Sequence, residues 1–373
     1  MKKLVLVSLA VMLSASMVFA SGNTEQKETE TAATGLNITV VTTPSGVDDG
    51  SFNENVYDGA MAFAENHPGS KVTPLREPSG NVAKAVKLAG DVVADYDVEV
   101  CSGFQFSGIT EIAEENPDTQ FILVDTFPTD NAVLDNIYAM TFAEQESGFF
   151  AGMAAALESK TGKVAVVNGV AYPSNVNYQY GFECGVKYVN VKYNKSVECV
   201  ELPSQAGTDV TGANVGGNYI GSFADEATGK IVANELINKG VDIMLVAAGG
   251  SGNGSFTAAK ESNGKCMIIG CDVDQWEDGF NGDENIILTS VLKNMAINVE
   301  RALTRINDGT FQGENVVLTA ATDSTGFVSD PSHQQMSDDT VAKLNEAYAL
   351  VKDGTIVPAS NFGGFTPEEF KVN

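Results

Sequence analysis

Short apolar runs rich in Val and Ile alternate with helical stretches along most of the chain. Continuous apolar strands separated by helices are typical of parallel sheets covered on both faces, so the pattern predicts an α/β fold. The predicted strands are 38–42, 98–102, 121–125, 163–168, 197–202, 242–248, 266–272 and 286–291. The predicted helices are 54–66, 81–94, 107–115, 144–159, 177–190, 224–239, 254–262, 292–307 and 336–352.

These strands are too many for a single regular sheet. The long helix EQESGFFAGMAAALESK is followed by GKVAVVNG, which reads as the start of a second sheet, so we place a lobe boundary near residue 142. In doubly wound sheets, ligands bind beyond the carboxyl ends of the strands. The residues that follow the predicted strands are therefore the first candidates for a binding site.

Two similar segments, GSFNE (50–54) and GSFADE (221–226), have the spacing of a capping box, in which Ser is followed three residues later by an acidic residue. This spacing places Phe52 and Phe223 in the first turns of two helices, ahead of the buried stripe. One such phenylalanine is usually a staple or a core residue. Two in matched contexts on different lobes favour a clamp for a flat aromatic ligand, because each base–aromatic stack contributes about 1–3 kcal/mol.

Carboxylates follow several predicted strands. Asp125 and Asp272 each end a strand, and Asp274 follows Asp272 by two residues. Such groups could be the acid and base of a glycosidase, caps of helices, or acceptors for the vicinal hydroxyls of a sugar. Because no organised partner base is visible, capping and diol binding are favoured over catalysis.

Other polar residues and glycines also follow the predicted strands, at the same edge of the sheets. The run GGSGNG (249–254) matches neither GxGxxG nor GxxxxGK[ST], so a nucleotide phosphate site is poorly supported. It is either a tight turn or a place where backbone near Gly249 approaches a ligand closely. Lys293 follows the strand at 286–291 and is either a surface lysine or a hydrogen-bond donor to a ligand.

Composition narrows the classes of partner. The formal net charge is −27, which repels phosphate backbones and anionic lipid, so we expect neither nucleic acid nor a membrane surface as a partner. The five cysteines include no CxxC and lie mostly in apolar runs, which favours buried free thiols over a disulfide framework. With two histidines, neither a zinc site nor a His-based triad is expected, and we expect no cofactor.

The N-terminus is typical of an exported protein. Residues 1–20 have two lysines, an apolar core and small residues before the predicted cleavage site, which together indicate a secretory signal peptide. Residues 21–36 are polar and lack apolar periodicity, so we expect a flexible tether.

Taken together, the segments of this chain resemble the basic membrane protein family of substrate-binding lipoproteins, the group that includes the purine nucleoside receptor A type. The resemblance runs from about residue 37 to 358. It is carried, in order, by DDGSFNENVYDGA, FILVDT, AEQESGFFAGMAAA, GSFADEATGK, VAAGGSGNGSFTAAKE, IIGCDVDQ, ILTSVLKN and DGTIVP.

The resemblance implies an α/β, type I periplasmic-binding-protein fold, with two Rossmann-like lobes whose parallel sheets are joined by a crossover hinge. The first lobe would comprise 37–142 with about 271–308. The second would comprise 143–270 with about 309–362, followed by a C-terminal tail at 363–373.

The resemblance also implies that a purine nucleoside (guanosine, adenosine or inosine) binds between the lobes and is delivered to the membrane subunits of an ABC importer. Phe52 and Phe223 would sandwich the base, and Asn53 and Asp125 would hydrogen-bond its polar edge. We expect a binding protein that is monomeric and not an enzyme.

The remaining ligand contacts implied by the resemblance concern the ribose and the rim of the pocket. Asp272 and Lys293 would hold the ribose hydroxyls, and backbone near Gly249 would close the pocket, with Asp49 a further candidate. One departure concerns the anchor, because members of the family usually carry a lipobox cysteine where this chain has Ser21. We therefore expect a soluble periplasmic or secreted protein without a lipid anchor.

Two other functions stay open at this stage. One keeps the fold but changes the ligand to a simple sugar or a signalling molecule, because sugars also stack on aromatic rings. The other is a nucleoside hydrolase or related glycosidase, suggested by the strand-end aspartates and by the pair Asp48 and Asp49.

Overall fold

The computed structural model describes residues 35–361 and 363–372. The predicted signal peptide (1–20), Ser21 and nearly all of the predicted tether lie outside the described residues. Within the described part, no helix has both the length and the apolar character needed to cross a bilayer.

The chain alternates between strands and helices. The strands are β1 (Asn37–Thr42), β2 (Lys71–Arg76), β3 (Val98–Ser102), β4 (Gln120–Val124), β5 (Ile137–Phe142), β6 (Lys163–Asn168), β7 (Glu198–Cys199), β8 (Gly207–Thr208), β9 (Asn214–Gly216), β10 (Ile243–Ala247), β11 (Met267–Gly270), β12 (Phe280–Asn281), β13 (Glu284–Asn285), β14 (Ile287–Lys293), β15 (Glu314–Leu318) and β16 (Thr325–Phe327). The helices are α1 (Phe52–Asn66), α2 (Val82–Val92), α3 (Thr110–Glu115), α4 (Glu144–Glu158), α5 (Pro173–Lys192), α6 (Glu226–Asn238), α7 (Gly252–Glu261), α8 (Met295–Asn307) and α9 (Asp338–Lys352).

Two main sheets organise these elements into two lobes. The first sheet has the strand order β2-β1-β3-β4-β5-β15, and the second has the order β7-β6-β10-β11-β14-β16. Neighbouring strands are parallel, apart from β16, which runs antiparallel to β14. Because the two orders correspond position by position, β4 and β11 occupy equivalent places in the two lobes.

Both faces of each sheet are buried, as the unbroken apolar strands predict. In β3, Val98 and Val100 join the cluster that contains residues of α1 and α8, whereas Cys101 joins a separate cluster with residues of α2. In β10, Leu245 packs with α4 and α5, whereas Val246 packs with α6 and α7. The five cysteines, all of which fall in the described region, are free thiols, as the sequence predicts.

The chain crosses between the lobes in three places: between β5 and α4, between β14 and α8, and between β15 and β16. This differs from the boundaries expected from the sequence. Strand β14 lies within the range 271–308 expected for the first lobe, yet it belongs to the second sheet, and β15 shows the reverse exchange. The reason is physical, because an apolar run shows that a strand is buried but not which sheet it joins.

Helices α4 and α5 pack with their backbones in contact, through glycines spaced four apart on each helix. A Cβ at Gly152 would lie 2.0 Å from the carbonyl oxygen of Phe182, and one at Gly181 would lie 2.1 Å from that of Gln145. Only glycine permits this approach. The close packing brings the start of α4 and the first turns of α5 together beneath the cleft between the lobes.

Candidate functional site

One cavity between the lobes is lined by all eight residues proposed from the sequence. It encloses about 530 Å³, including the part open to solvent. Those eight residues are Asp49, Phe52, Asn53, Asp125, Phe223, Gly249, Asp272 and Lys293. The cavity is also lined by residues that were not anticipated: Thr43, Ser45, Gly103, Phe104, Gln105, Tyr172, Ser174, Asn175, Tyr178 and Ala247.

Asp125 and Asp272 follow the equivalent strands β4 and β11 and have the same unusual backbone. Their φ angles are 65° and 71°, in the left-handed region that few residues other than glycine adopt. The neighbouring strands hold this conformation, because the Asp125 N–H donates to the carbonyl of Met140 and the Lys293 N–H donates to that of Asp272. Each residue in this conformation costs on the order of 1–3 kcal/mol, and such strain clusters at ligand sites.

Lys293, the last residue of β14, is the buried cation of the site. Its side chain is 2 % exposed, its ammonium pairs with Asp125, and Glu144 Oε1 lies 3.2 Å away. Burial disfavours the charged form, but the carboxylates of Asp125, Glu144 and Asp272 raise the pKa of Lys293 above its ordinary value, so the ammonium stays charged. It also lies 5.1 Å from the centroid of the Phe52 ring, within the range of a cation–π contact.

The carboxylates around Lys293 carry more negative charge than one ammonium can balance. Burial raises the pKa of Asp125 to about 7, the nearby Glu144 carboxylate adds to this effect, and Lys293 opposes it. Asp125 Oδ1 is buried without a hydrogen-bond partner among the described residues. Since buried acceptors are almost always paired, this oxygen is placed to accept a hydrogen bond from a ligand.

Asp272 joins the lobes. Its Oδ1 accepts a hydrogen bond from the Tyr178 hydroxyl at 2.9 Å, and its Oδ2 accepts one from the Ser51 hydroxyl at 3.0 Å. A carboxylate has about four acceptor sites, so lone pairs remain for a ligand. Ser51 lies in the first lobe and Asp272 in the second, so this bond also holds the cleft closed.

The start of α1 differs from the expected capping box. The side chain of Ser51 makes no cap hydrogen bond; instead, Asp49 accepts from the backbone N–H groups of Ser51, Asn53 and Glu54 at 3.1 Å. Because Asp49 saturates the helix start, its role in the cavity wall is to hold the turn that carries Phe52, which is the first residue of α1.

The Asn53 side chain is bound within the protein. Its Nδ2 donates to the Thr43 hydroxyl and to Asp49 at 2.7 Å each, and its Oδ1 accepts from the Thr43 N–H at 3.1 Å. Both side-chain N–H groups are therefore used. Asn53 has one remaining lone pair on its oxygen to offer a ligand.

The sequence predicted that Phe223 lies in the first turn of a helix, but the structure places it before the helix. Helix α6 starts later, at Glu226, and is capped by Asp225, which accepts from the Thr228 N–H at 3.0 Å. The Phe223 ring instead lies against Gly169, where a Cβ would be 2.3 Å from two ring carbons. Its carbonyl accepts hydrogen bonds from the Ser45 hydroxyl of the first lobe and from the Ser251 N–H.

Gly249 lies beside the same ring. Its φ is 51°, and a Cβ there would lie 3.6 Å from the Phe223 ring. The backbone therefore turns close to the cavity. No His, Cys, Asp or Glu cluster within the described residues has the arrangement needed to hold a metal ion.

Three residues that the sequence did not point to matter most: Glu144, which contacts Lys293 but does not line the cavity, and the lining residues Phe104 and Tyr172. Glu144 is the first residue of α4, and its Oε2 accepts from Asn177 Nδ2 at 3.1 Å while Oε1 approaches Lys293. Phe104 and Tyr172 place two further rings in the cavity wall, with centroids 5.1 Å apart. Their one sequence signal was position: Phe104 follows β3 and Tyr172 follows β6, at the carboxyl ends of strands.

The fold and the cleft define a class of protein: a two-lobe, type I periplasmic binding protein, as the sequence predicted. The chain belongs to the Bmp family, described as ABC transporter substrate-binding protein PnrA-like, whose family model matches residues 37–203 and 205–360. Proteins of this family are extracytoplasmic substrate-binding components of ABC transporters rather than enzymes, so the hydrolase alternative is excluded.

Individual relatives agree with this family. Basic membrane protein A of Borreliella burgdorferi is 31% identical over 76% of this chain and 77% of its own length. The ABC transporter nucleoside-binding protein BmpA of Lactococcus lactis subsp. cremoris is 27% identical over 84% of this chain and 85% of its own. Among solved structures, an ABC transporter solute-binding protein from Aeropyrum pernix K1 covers 87% of this chain and 93% of its own, with a TM-score of 0.73 and 23% identity.

Proposed function

We propose that this protein binds purine nucleosides, namely guanosine, adenosine and inosine, and delivers them to the membrane subunits of an ABC importer. One observation carries the proposal: a single interlobe cavity combines the rings of Phe52 and Phe223 with the Lys293 ammonium and the carboxylates of Asp125 and Asp272. The relative described as nucleoside-binding supports the same ligand class.

The base stacks on Phe52 of the first lobe and Phe223 of the second. Asp125 Oδ1, which has no partner among the described residues, accepts an N–H from the edge of the base, and the free lone pair of Asn53 accepts another. These acceptors suit a purine, whose polar edge carries N–H groups.

The ribose lies near Asp272 and Lys293. Two vicinal hydroxyls donate to the remaining lone pairs of Asp272, and the ammonium of Lys293 donates to a hydroxyl or ring oxygen. Gly249 closes the rim with its backbone, and Asp49 supports the turn beneath Phe52. A neutral nucleoside fits this cluster, because three buried carboxylates beside one ammonium repel an anionic phosphate.

The protein acts outside the cytoplasm, as its family does. We propose that residues 1–20 direct export and are removed, and that the mature chain is monomeric. We also propose that it has no lipid anchor, since Ser21 stands where a lipobox would place cysteine. Metabolic labelling with a fatty acid tests the anchor: incorporation of label into this chain would contradict it.

Isothermal titration calorimetry of the mature protein tests the ligand. The protein is first unfolded and refolded to remove bound solute, and circular dichroism verifies the fold. The titrants are guanosine, adenosine, inosine, a pyrimidine nucleoside, free guanine and ribose. We expect tight binding of the purine nucleosides and much weaker binding of guanine and ribose alone, because the base and sugar contacts act together.

Two variants test the aromatic clamp. Phe52→Ala and Phe223→Ala should each weaken binding by about 1–3 kcal/mol, the contribution of a base–aromatic stack. Unchanged affinity in both variants would exclude the clamp. Binding of ribose without the nucleosides, or of none of the titrants by refolded protein, would refute the purine nucleoside assignment.

A further inference from the structure

An aromatic contact bridges the two lobes at the cleft. Phe104 follows β3 of the first lobe and Tyr172 follows β6 of the second, and their ring centroids lie 5.1 Å apart at an angle of 38°. This separation lies within the favourable range for aromatic pairs. Because the two rings belong to different lobes, they touch only while the lobes are closed.

Both rings are held by rigid backbone. Tyr172 directly precedes Pro173, the first residue of α5, and a residue before proline is confined to extended conformations. Its N–H also donates to the carbonyl of Val170 at 2.7 Å. The backbone that carries the Tyr172 ring is therefore constrained before any ligand arrives.

Phe104 is fixed from the other side. Gly103 has a φ of 107°, which only glycine adopts readily, and its N–H donates to the Val124 carbonyl at 2.8 Å. The neighbouring Gln105 side chain donates to the carbonyl of Ser102 at 2.8 Å, and Phe106 is fully buried in the first lobe. This turn leaves Phe104 directed at the cleft.

Tyr172 continues the contact to the proposed base-stacking ring. Its centroid lies 5.9 Å from that of Phe223, so Phe104, Tyr172 and Phe223 form a continuous row of rings from one lobe to the other. The Phe223 ring also lies against Gly169. The plane of Phe223 is therefore set by Gly169 and Tyr172 together.

We propose that Phe104 and Tyr172 are positioning residues, an aromatic clasp that favours the closed lobes even without ligand and fixes the ring of Phe223 for the base. The clasp differs from the interlobe hydrogen bonds of Ser45 and Ser51, because water replaces a hydrogen bond on opening but cannot replace an aromatic contact. The choice of guanosine as the probe rests on the proposed function; the clasp itself does not.

A double-mutant cycle tests the clasp in the full mature chain. The variants are Phe104→Leu, Tyr172→Leu and both together, with Tyr172→Phe as the matched control that keeps the ring. We expect each leucine variant to weaken guanosine binding about twofold to tenfold, and the double variant to bind no more weakly than the weaker single variant. Tyr172→Phe keeps the ring, so its ligand-free lobes should stay as closed as those of the wild type.

Small-angle X-ray scattering of the ligand-free proteins provides the second readout. We expect the wild type and Tyr172→Phe to have the smaller radius of gyration, and each leucine variant to have a larger one because its lobes open. Additive losses of guanosine affinity, or equal radii for the wild type and the leucine variants, would overturn the clasp. If the wild type binds no nucleoside, the proposed function fails and the scattering alone decides the clasp.

Discussion

Gly169 offers a way to move the Phe223 ring without changing the ring itself. Gly169→Ala adds one Cβ, which would lie 2.3 Å from two carbons of the Phe223 ring. Non-bonded carbons pack at about 3.5–4.0 Å, so the ring must move by more than about 1 Å. The φ of Gly169 is not positive, so alanine fits the backbone and the ring carries the whole effect.

The expected loss follows from the stacking energy. A base–aromatic stack contributes about 1–3 kcal/mol, and about 1.4 kcal/mol corresponds to a tenfold change in affinity. Gly169→Ala should therefore weaken guanosine binding by about fivefold to 150-fold. The free energy of unfolding should change little, because the Phe223 ring is only half-buried.

Calorimetry with guanosine and urea unfolding measure the two quantities. Gly108→Ala is the matched control, since a Cβ there would meet Val86 at an ordinary 3.6 Å. The reasoning also requires that Gly169→Ala add nothing once Phe223 is alanine. Wild-type affinity in Gly169→Ala, or an equal further loss in the Phe223→Ala background, would refute the argument that Gly169 acts through this ring.

Three further changes test the electrostatics and the packing. Burial raises the pKa of Glu99 to about 8, so between about pH 4.5 and 8 the folded chain holds a proton that the unfolded chain releases. As the pH rises through this range, the free energy of unfolding should fall by up to about 1.4 kcal/mol per pH unit. Glu99→Gln should flatten this slope in urea unfolding, and parallel pH profiles of the variant and the wild type would contradict the explanation. Lys293→Met leaves the carboxylates of Asp125 and Glu144 buried without a cation and should lower the free energy of unfolding by about 3–5 kcal/mol. The loss should be smaller at pH 5 than at pH 8. An equal loss at the two pH values would argue against the charge explanation. Gly181→Ala places a Cβ 2.1 Å from the Gln145 carbonyl oxygen and should lower the free energy of unfolding by about 1–3 kcal/mol. Gly108→Ala is again the control. Equal stability of the two variants would show that α4 and α5 can move apart without cost.

The residues that line the cavity could be predicted from the sequence because of one geometric rule. Parallel strands end at a common edge, so Asp125, Asp272 and Lys293, which lie far apart in the chain, meet there. The rule needs only the strand ends, and the apolar runs of β4, β11 and β14 mark these well. It says nothing of hydrogen bonding within the site, which is why the internal bonds of Asn53 were not foreseen.

Local spacing was less informative than strand order. Ser51 and Glu54 have capping-box spacing, but Asp49 competes for the same N–H groups and wins because a carboxylate accepts several hydrogen bonds at once. In the second segment Asp225 caps α6 directly, so Phe223 falls before the helix. Spacing alone could not decide between these alternatives.

Residues that depend on packing between elements were missed altogether. Glu144 reaches Lys293, and Tyr178 reaches the cavity, because glycines let α4 and α5 touch, a contact that no short motif in either helix reveals. Strand β2 was missed because KVTPLR contains proline and lies at the sheet edge with little burial. The exchange of β14 and β15 between the lobes likewise depends on pairing partners rather than on the runs themselves.

The late exchange of strands between the lobes also affects when each lobe can fold during synthesis of the chain. The first sheet gains its edge strand β15 only at residues 314–318, and the second gains β16 only at residues 325–327. A ribosome must therefore synthesise most of the polypeptide before either lobe can complete its sheet. For a member of an extracytoplasmic family, this order of synthesis favours an incompletely folded precursor at the stage when the chain has to cross a membrane.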